Sequence, residues 1–281
     1  MNVTPISPFV GVECFDPLSF PLDASAIRDA VHEHSVVVFR NQSIDDAGQI
    51  ELAEVLGEVA LEPPSSYFPG GTKITAFEHR QQAGYGTSET LHCDGMFHIP
   101  IAGLCLRVLE HPTSGGDTIF CSFARVWESL SPGVRQLLKG LTVRYSALPP
   151  VAARKYLRTT GAAPVDIPLV FRHPITGKDS LWYSQLGAQD IPELSREEVS
   201  LVFALLNEHI NKFQNQIRIK HAPGTVILLD NTNVCHAVAI DYLPETRRAC
   251  RVVIKGKPLE RAAPAFDSGF PVSFVSGDKK A

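Results

Sequence analysis

Apolar and polar positions along this chain follow two periods, one helical and one of strands. Helical spacing over residues 24–34 puts Ile27, Ala30 and Val31 on one face. The β-branched run Val36, Val37, Val38, Phe39 then predicts a buried strand. Ser43-Ile44-Asp45-Asp46 resembles a helix cap, and the helix it opens carries Ala47, Ile50 and Ala53 before stopping at Gly57, a residue suited to a left-handed turn. Pro, Gly and Ser crowd the stretch from Pro63 to Ser88, and much of it reads as loop. From Leu91 the pattern is mainly strands, broken by two helices. One opens at Ser131-Pro132 and closes before Gly140. The other opens with the capping box Ser195-Arg196-Glu197-Glu198 and aligns Val199, Val202, Phe203, Leu206, Ile210 and Phe213. Ile217 and Ile219 alternate, Thr225 to Leu229 form an apolar run, and Arg251 to Ile254 end the last β block. Residues 151–168 have weak periodicity and read as either a lid or a long surface connection.

Composition narrows the class. The 281 residues, 44% hydrophobic and 20% charged, suit one domain over 1–281 with a flexible tail from about 264. No apolar run approaches the roughly 20 residues that span a bilayer. The N-terminus lacks a basic start and an apolar core, so no secretory signal is visible and a cytoplasmic location is expected. Six cysteines without a CxxC pair suit reduced, packed thiols. A net charge of −4 with no basic run leaves no footprint for nucleic acid, so the expected partner is a small molecule. A homo-oligomer is compatible with all of this.

The candidate chemistry starts at His92-Cys93-Asp94. Side chains two apart on a strand project to the same face, so an imidazole and a carboxylate can share one point while Cys93 faces away. His236, downstream of the apolar run, completes a two-histidine, one-carboxylate face that leaves the other side of a metal open and suits iron(II) oxygenases. Arg247 follows eleven residues later, and Thr118 ends Gly115-Gly116-Asp117-Thr118. A keto diacid bound to iron through its keto-acid end needs a fixed cation for its far carboxylate; a guanidinium with a hydroxyl alongside fills that role.

These motifs, with Val36 to Gln42, the His173-Pro174-Ile175-Thr176-Gly177-Lys178 run, Asp230-Asn231 and Asp241-Tyr242-Leu243-Pro244, resemble the taurine dioxygenase family of 2-oxoglutarate-dependent oxygenases over nearly the whole chain. The resemblance implies a mainly β fold with flanking helices, a double-stranded β-helix or jelly roll. It implies His92, Asp94 and His236 as ligands of Fe(II), Thr118 and Arg247 on the distal carboxylate of 2-oxoglutarate, and O2 as oxidant. Arg251 matches a further arginine facing co-substrate or substrate. Where the taurine enzyme contacts its sulfonate, this chain has Glu62, Ser65 and Ser88, so taurine itself is not the expected substrate. His92-Cys93-Asp94-Gly95-Met96 also resembles isonitrile-processing oxygenases of natural-product pathways, pointing to secondary metabolism or catabolism. The implied reaction hydroxylates, desaturates or epoxidises a small molecule with release of succinate and CO2. An intact Asp94 argues against halogenation. The alternative is a catalytically inactive jelly roll that binds a metal or metabolite.

Several residues carry plainer readings. Met96 and Phe97 could line the substrate pocket, as could Trp182 and Tyr183, but such residues are more often core. His98 is as readily a packed or exposed histidine. His111, before a proline, and His209 read as structural, His173 as part of a turn, Arg248 as a solvated charge, and Cys93 and Cys235 as packing residues.

Overall fold

In a computed structural model, residues 1–61, 71–79, 89–96, 100–145 and 164–263 are described. The strands are β1 (Val3–Pro5), β2 (Val12–Cys14), β3 (Val36–Phe39), β4 (Ile74–His79), β5 (Gly103–Glu110), β6 (Thr118–Ser122), β7 (Thr142–Tyr145), β8 (Val165–Pro168), β9 (Val170–Arg172), β10 (Asp179–Leu181), β11 (Ala188–Asp190), β12 (Gln216–Ile219), β13 (Val226–Asp230), β14 (Val234–Val238) and β15 (Arg247–Ile254). The helices are α1 (Ala24–His34), α2 (Asp46–Glu54), α3 (Phe123–Ser129), α4 (Pro132–Leu138) and α5 (Arg196–Ile210).

Two sheets form the jelly roll. The larger runs β1-β2-β3-β13-β5-β15-β4, and the smaller β12-β6-β14. Their facing surfaces share one core: Val36, Val38, Ile227, Leu229 and Val253 from the large sheet meet Phe120, Ile217, Ile219 and Val234 from the small one. The alternate residues Val37, Phe39, Val226, Leu228, Val252 and Ile254 point the other way, onto Ile27, Val31, Leu52 and Ala53 of α1 and α2. Both faces of β3 and β13 are therefore dry, which is why they read as unbroken apolar runs.

Helix α1 spans the residues that the periodicity predicts, capped by Asp23, whose carboxylate accepts the Ala26 N–H at 3.1 Å. Helix α2 is rotated from expectation, with Ala47 exposed and Ile50 half-buried while Gln49 is buried. The cause is polar: the Gln49 amide donates to the Cys105 and Cys250 carbonyls at 2.9 and 3.2 Å, fixing the helix on the sheet. Helix α5 has the predicted capping box but ends at Ile210. Phe213 begins a 3-10 turn and is 91% exposed, because Asn215 Nδ2 donates to the His209 carbonyl at 2.7 Å and turns the chain off the apolar face.

Within the supposed loop of 63–88, Ile74–His79 is a strand that pairs with β15 at the sheet edge. Its six residues sit between Pro- and Gly-rich flanks that mask the alternation. Of the possible lid, Val165–Pro168 is β8, paired with β7. Residues 151–163, the tail 264–281, and Glu62, Ser65, Ser88, Phe97 and His98 lie outside the described residues. No helix among the described residues is long and apolar enough to cross a membrane.

Candidate metal and co-substrate site

The edge of the small sheet presents the first two donors. The His92 N–H donates to the His236 carbonyl at 3.0 Å and the His236 N–H returns to His92 at 2.8 Å, an antiparallel bridge. Directly opposed residues project to the same side, and the two ring centroids lie 4.5 Å apart. The expected strand over 92–94 is only this one bridge; Asp94 and Gly95 form a turn, with Gly95 at φ +84°. Asp94 nevertheless swings back, so that donor atoms of His92, Asp94 and His236 all lie within 4.8 Å of one another.

What aims these groups is written in their hydrogen bonds. His92 Nδ1–H donates to the Thr90 carbonyl at 2.7 Å, which leaves Nε2 as a lone pair, 3.6 Å from Asp94 Oδ1. Asn231 grips the Asp94 backbone: Oδ1 accepts its N–H at 3.1 Å and Nδ2 donates to its carbonyl at 2.9 Å. Burial and then the His92 ring push the His236 pKa down to about 3, and its buried Nδ1 has no hydrogen-bond partner among the described residues. Burial alone would raise the Asp94 carboxyl, but the charge of the facing Arg251 guanidinium leads the interactions that outweigh it and hold the group below its usual pKa. Two imidazole nitrogens beside an ionised carboxylate match what a divalent first-row metal takes.

Strand β15 supplies the cations. Alternation puts Arg247, Ala249, Arg251 and Val253 on the inner face. Arg251 Nη1 donates to Asp94 Oδ2 at 2.7 Å. Arg247 is 1% exposed; Nε donates to the Gly116 carbonyl at 3.1 Å and Nη2 to Thr118 Oγ1 at 3.4 Å. Its buried Nη1 has no partner among the described residues, and it faces no carboxylate within ion-pair distance there. A buried guanidinium met only by neutral oxygens is costly, and an anionic ligand would relieve that cost.

The remaining sequence candidates are placed as follows. Met96 is 5% exposed in the core, where its sulfur accepts from Ser184 Oγ at 3.3 Å, so it packs instead of walling a pocket. Trp182 and Tyr183 are core as well. His173 Nε2 donates to Asp230 at 2.7 Å and its Nδ1 accepts the Ile175 and Thr176 N–H groups, which fixes a turn. Arg248 is solvated beside Glu110, and His209 bonds Ser129 at 2.9 Å. Burial raises the thiol pKa of Cys93 and Cys235 well above its usual value, suiting packing residues. Two residues escaped the sequence reading: Asn231, which sits in a quoted motif without a role, and His221, which follows no pattern.

Residues 2–253 match the family described as taurine catabolism dioxygenase TauD, TfdA family. The chain belongs to this family. An α-ketoglutarate (2-oxoglutarate)-dependent sulfate ester dioxygenase of Pseudomonas putida is 28% identical over 278 residues, covering 92% of this chain and 90% of that one. The α-ketoglutarate-dependent dioxygenase cnsP of Penicillium expansum is 24% identical over 293 residues, covering 96% and 79%. A taurine dioxygenase from Burkholderia xenovorans superposes with a TM-score of 0.78 at 26% identity, covering 92% of each chain. This TauD/TfdA protein is accordingly an iron(II)- and 2-oxoglutarate-dependent dioxygenase with a jelly-roll fold that consumes O2 and acts on small molecules. The alternative of an inactive jelly roll finds no support in these likenesses.

Proposed function

We propose that His92, Asp94 and His236 hold the iron(II), that Arg247 and Thr118 take the distal carboxylate of 2-oxoglutarate, and that the enzyme hydroxylates a small organic anion. The observation that carries this is Arg247: a buried guanidinium with an unpaired N–H among the described residues, on the same strand face as the arginine that touches Asp94. Such a group suits a ligand carboxylate, and Thr118 stands beside it.

Iron bound at the triad supplies the centre at which O2 and the keto acid react. Overall, a C–H bond, O2 and 2-oxoglutarate become an alcohol, succinate and CO2; desaturation or epoxidation remain alternative outcomes for some substrates. The protein's part is placement. Arg251 holds Oδ2 of Asp94, leaving Oδ1 toward His92. Asn231 fixes the turn that carries Asp94, and Arg247 with Thr118 sets how far the co-substrate reaches into the barrel. The preference for an anionic substrate rests on the sulfate ester and taurine named for relatives, and on Arg251 lying next to the metal ligands. Glu62, Ser65 and Ser88 are the residues we assign to the substrate wall on resemblance, and Phe97 on its place in the sequence just after the His92–Asp94 motif.

Anaerobic titration with iron(II) and 2-oxoglutarate tests the site, with a weak visible charge-transfer band expected in the wild type and lost in His236→Ala. Absence of the band in folded, iron-binding protein would overturn the reading. Alkyl sulfates, sulfonates and carboxylates, each beside a neutral analogue, are then assayed for stimulated succinate release. Stimulation by the neutral compounds alone would remove the anionic preference.

A further inference from the structure

Behind Thr118 lies a histidine that neither the sequence motifs nor the metal site accounts for. His221 sits two residues past β12, 2% exposed, with Nε2 at 2.7 Å from Thr118 Oγ1. Its loop is pinned by Arg40, whose Nη1 donates to the Lys220 carbonyl at 2.6 Å and to Thr225 Oγ1 at 3.3 Å. The ring of His111 lies 5.7 Å away, centroid to centroid.

The direction of the His221–Thr118 bond decides what Thr118 can do. A threonine hydroxyl has one proton and two lone pairs. Arg247 Nη2 already donates to that oxygen at 3.4 Å. If His221 Nε2 accepted, the single hydroxyl proton would point at the imidazole and nothing would remain for a carboxylate. If Nε2–H donates, both lone pairs are filled and the hydroxyl proton is free to turn to a ligand.

The other ring nitrogen chooses between these states. Nδ1 of His221 is buried and has no partner among the described residues. An Nε2 acceptor would require Nδ1–H, an orphaned buried donor, which proteins rarely tolerate. An Nε2 donor leaves only a bare lone pair there instead, a smaller cost than a stranded N–H. Burial, with Arg247 and His111 nearby, also holds the ring well below its usual pKa, so it stays neutral and keeps one N–H to place.

We propose that His221, as the Nε2–H tautomer, is a positioning residue that turns the Thr118 hydroxyl into a donor for the distal carboxylate of a 2-oxo diacid bound at Arg247. The inference rests on the co-substrate role given above to Thr118 and Arg247. His221 therefore acts through Thr118 and sets selectivity for a co-substrate that carries a second carboxylate.

The test is calorimetric binding of 2-oxoglutarate to manganese-loaded protein, beside 2-oxobutanoate, which has the keto-acid end but no distal carboxylate. His221→Phe removes the donor, whereas His221→Gln can place an amide N–H near the same point. Loss of one hydrogen bond to a charged group predicts about tenfold to hundredfold weaker 2-oxoglutarate binding in the phenylalanine variant, and partial rescue by glutamine. Binding of 2-oxobutanoate and manganese should be unchanged, and a purely structural role would weaken all three. In a Thr118→Val background, His221→Phe should cost almost nothing further. Equal 2-oxoglutarate affinity in wild type and His221→Phe would overturn the proposal. A wild type that binds no 2-oxoglutarate would instead sink the co-substrate site itself. Should the phenylalanine variant not fold, long-range proton–nitrogen NMR of wild-type protein decides, since an Nδ1–H tautomer at His221 overturns the proposal without any variant.

Discussion

The carboxamide of Asn231 brackets Asp94, accepting its N–H at 3.1 Å and donating to its carbonyl at 2.9 Å, while reaching the Ile101 carbonyl at 3.0 Å. One fully buried side chain thus fixes both peptide groups that set the direction of a metal-ligating carboxylate. Asn231→Ala should lower iron(II) affinity by about tenfold to hundredfold, the usual effect of removing a group that orients a ligand. Stability should also fall by about 1–3 kcal/mol from the stranded backbone groups. Competition against a fluorescent chelator reads the first and urea unfolding the second; unchanged iron affinity would deny Asn231 this role.

Gly95 turns the chain directly after Asp94 at φ +84°. A Cβ there would lie 2.8 Å from Ile101 Cγ1 and 3.0 Å from the Ile101 nitrogen, so space and backbone conformation both oppose a side chain. Gly95→Ala should cost about 1–2 kcal/mol for the left-handed conformation, with more from the contact. Because the strain falls on the Asp94 turn, iron binding should weaken along with the unfolding midpoint. A variant with a lowered midpoint and full iron affinity would show that the turn tolerates the shift.

Ala249 stands between Arg247 and Arg251 on the inner face of β15, fully buried. Its methyl side chain lies between the arginine beside Thr118 and the arginine on Asp94, where we place the co-substrate. Ala249→Leu should raise the 2-oxoglutarate Kd more than about tenfold while iron affinity holds, with an overpacking cost of about 1–3 kcal/mol. Calorimetry checks this, and undiminished co-substrate binding would move the co-substrate elsewhere in the barrel.

The metal-free protein should weaken in mild acid. His221 and His236 are both held neutral by burial, below their ordinary value of 6.5, His236 down to about 3. The unfolded chain takes up these protons below 6.5 and the folded one does not, so stability falls as pH drops from that value toward the folded pKa. Each group adds a slope of about 1.4 kcal/mol per pH unit. His32 and His209, also lowered by burial, act in the same sense. Urea unfolding between about pH 6 and pH 5 should show a slope smaller by about 1.4 kcal/mol per unit in His221→Gln. An identical slope would mean that His221 is protonated in the fold.

Much of this protein is determined locally, and that part could be read from the chain. The dry strands β3 and β13, the span of α1 and the capping box of α5 follow from apolar period and cap chemistry, which act between near neighbours. His92, Asp94, His236, Thr118 and Arg247 stood out because each lies in a short motif whose residue types suit one chemistry. What the sequence could not supply was relation across distance. Gln49 rotates α2 by bonding two strands more than fifty residues away. Asn231 finds Asp94 across 137 positions, and His221 finds Thr118 across 103. Arg251 reads from the sequence as facing co-substrate or substrate, and its 2.7 Å bond to Asp94 is a relation that only the fold supplies. A hydrogen bond depends on tenths of an ångström between atoms brought together by sheet register, and no period along the chain encodes that separation.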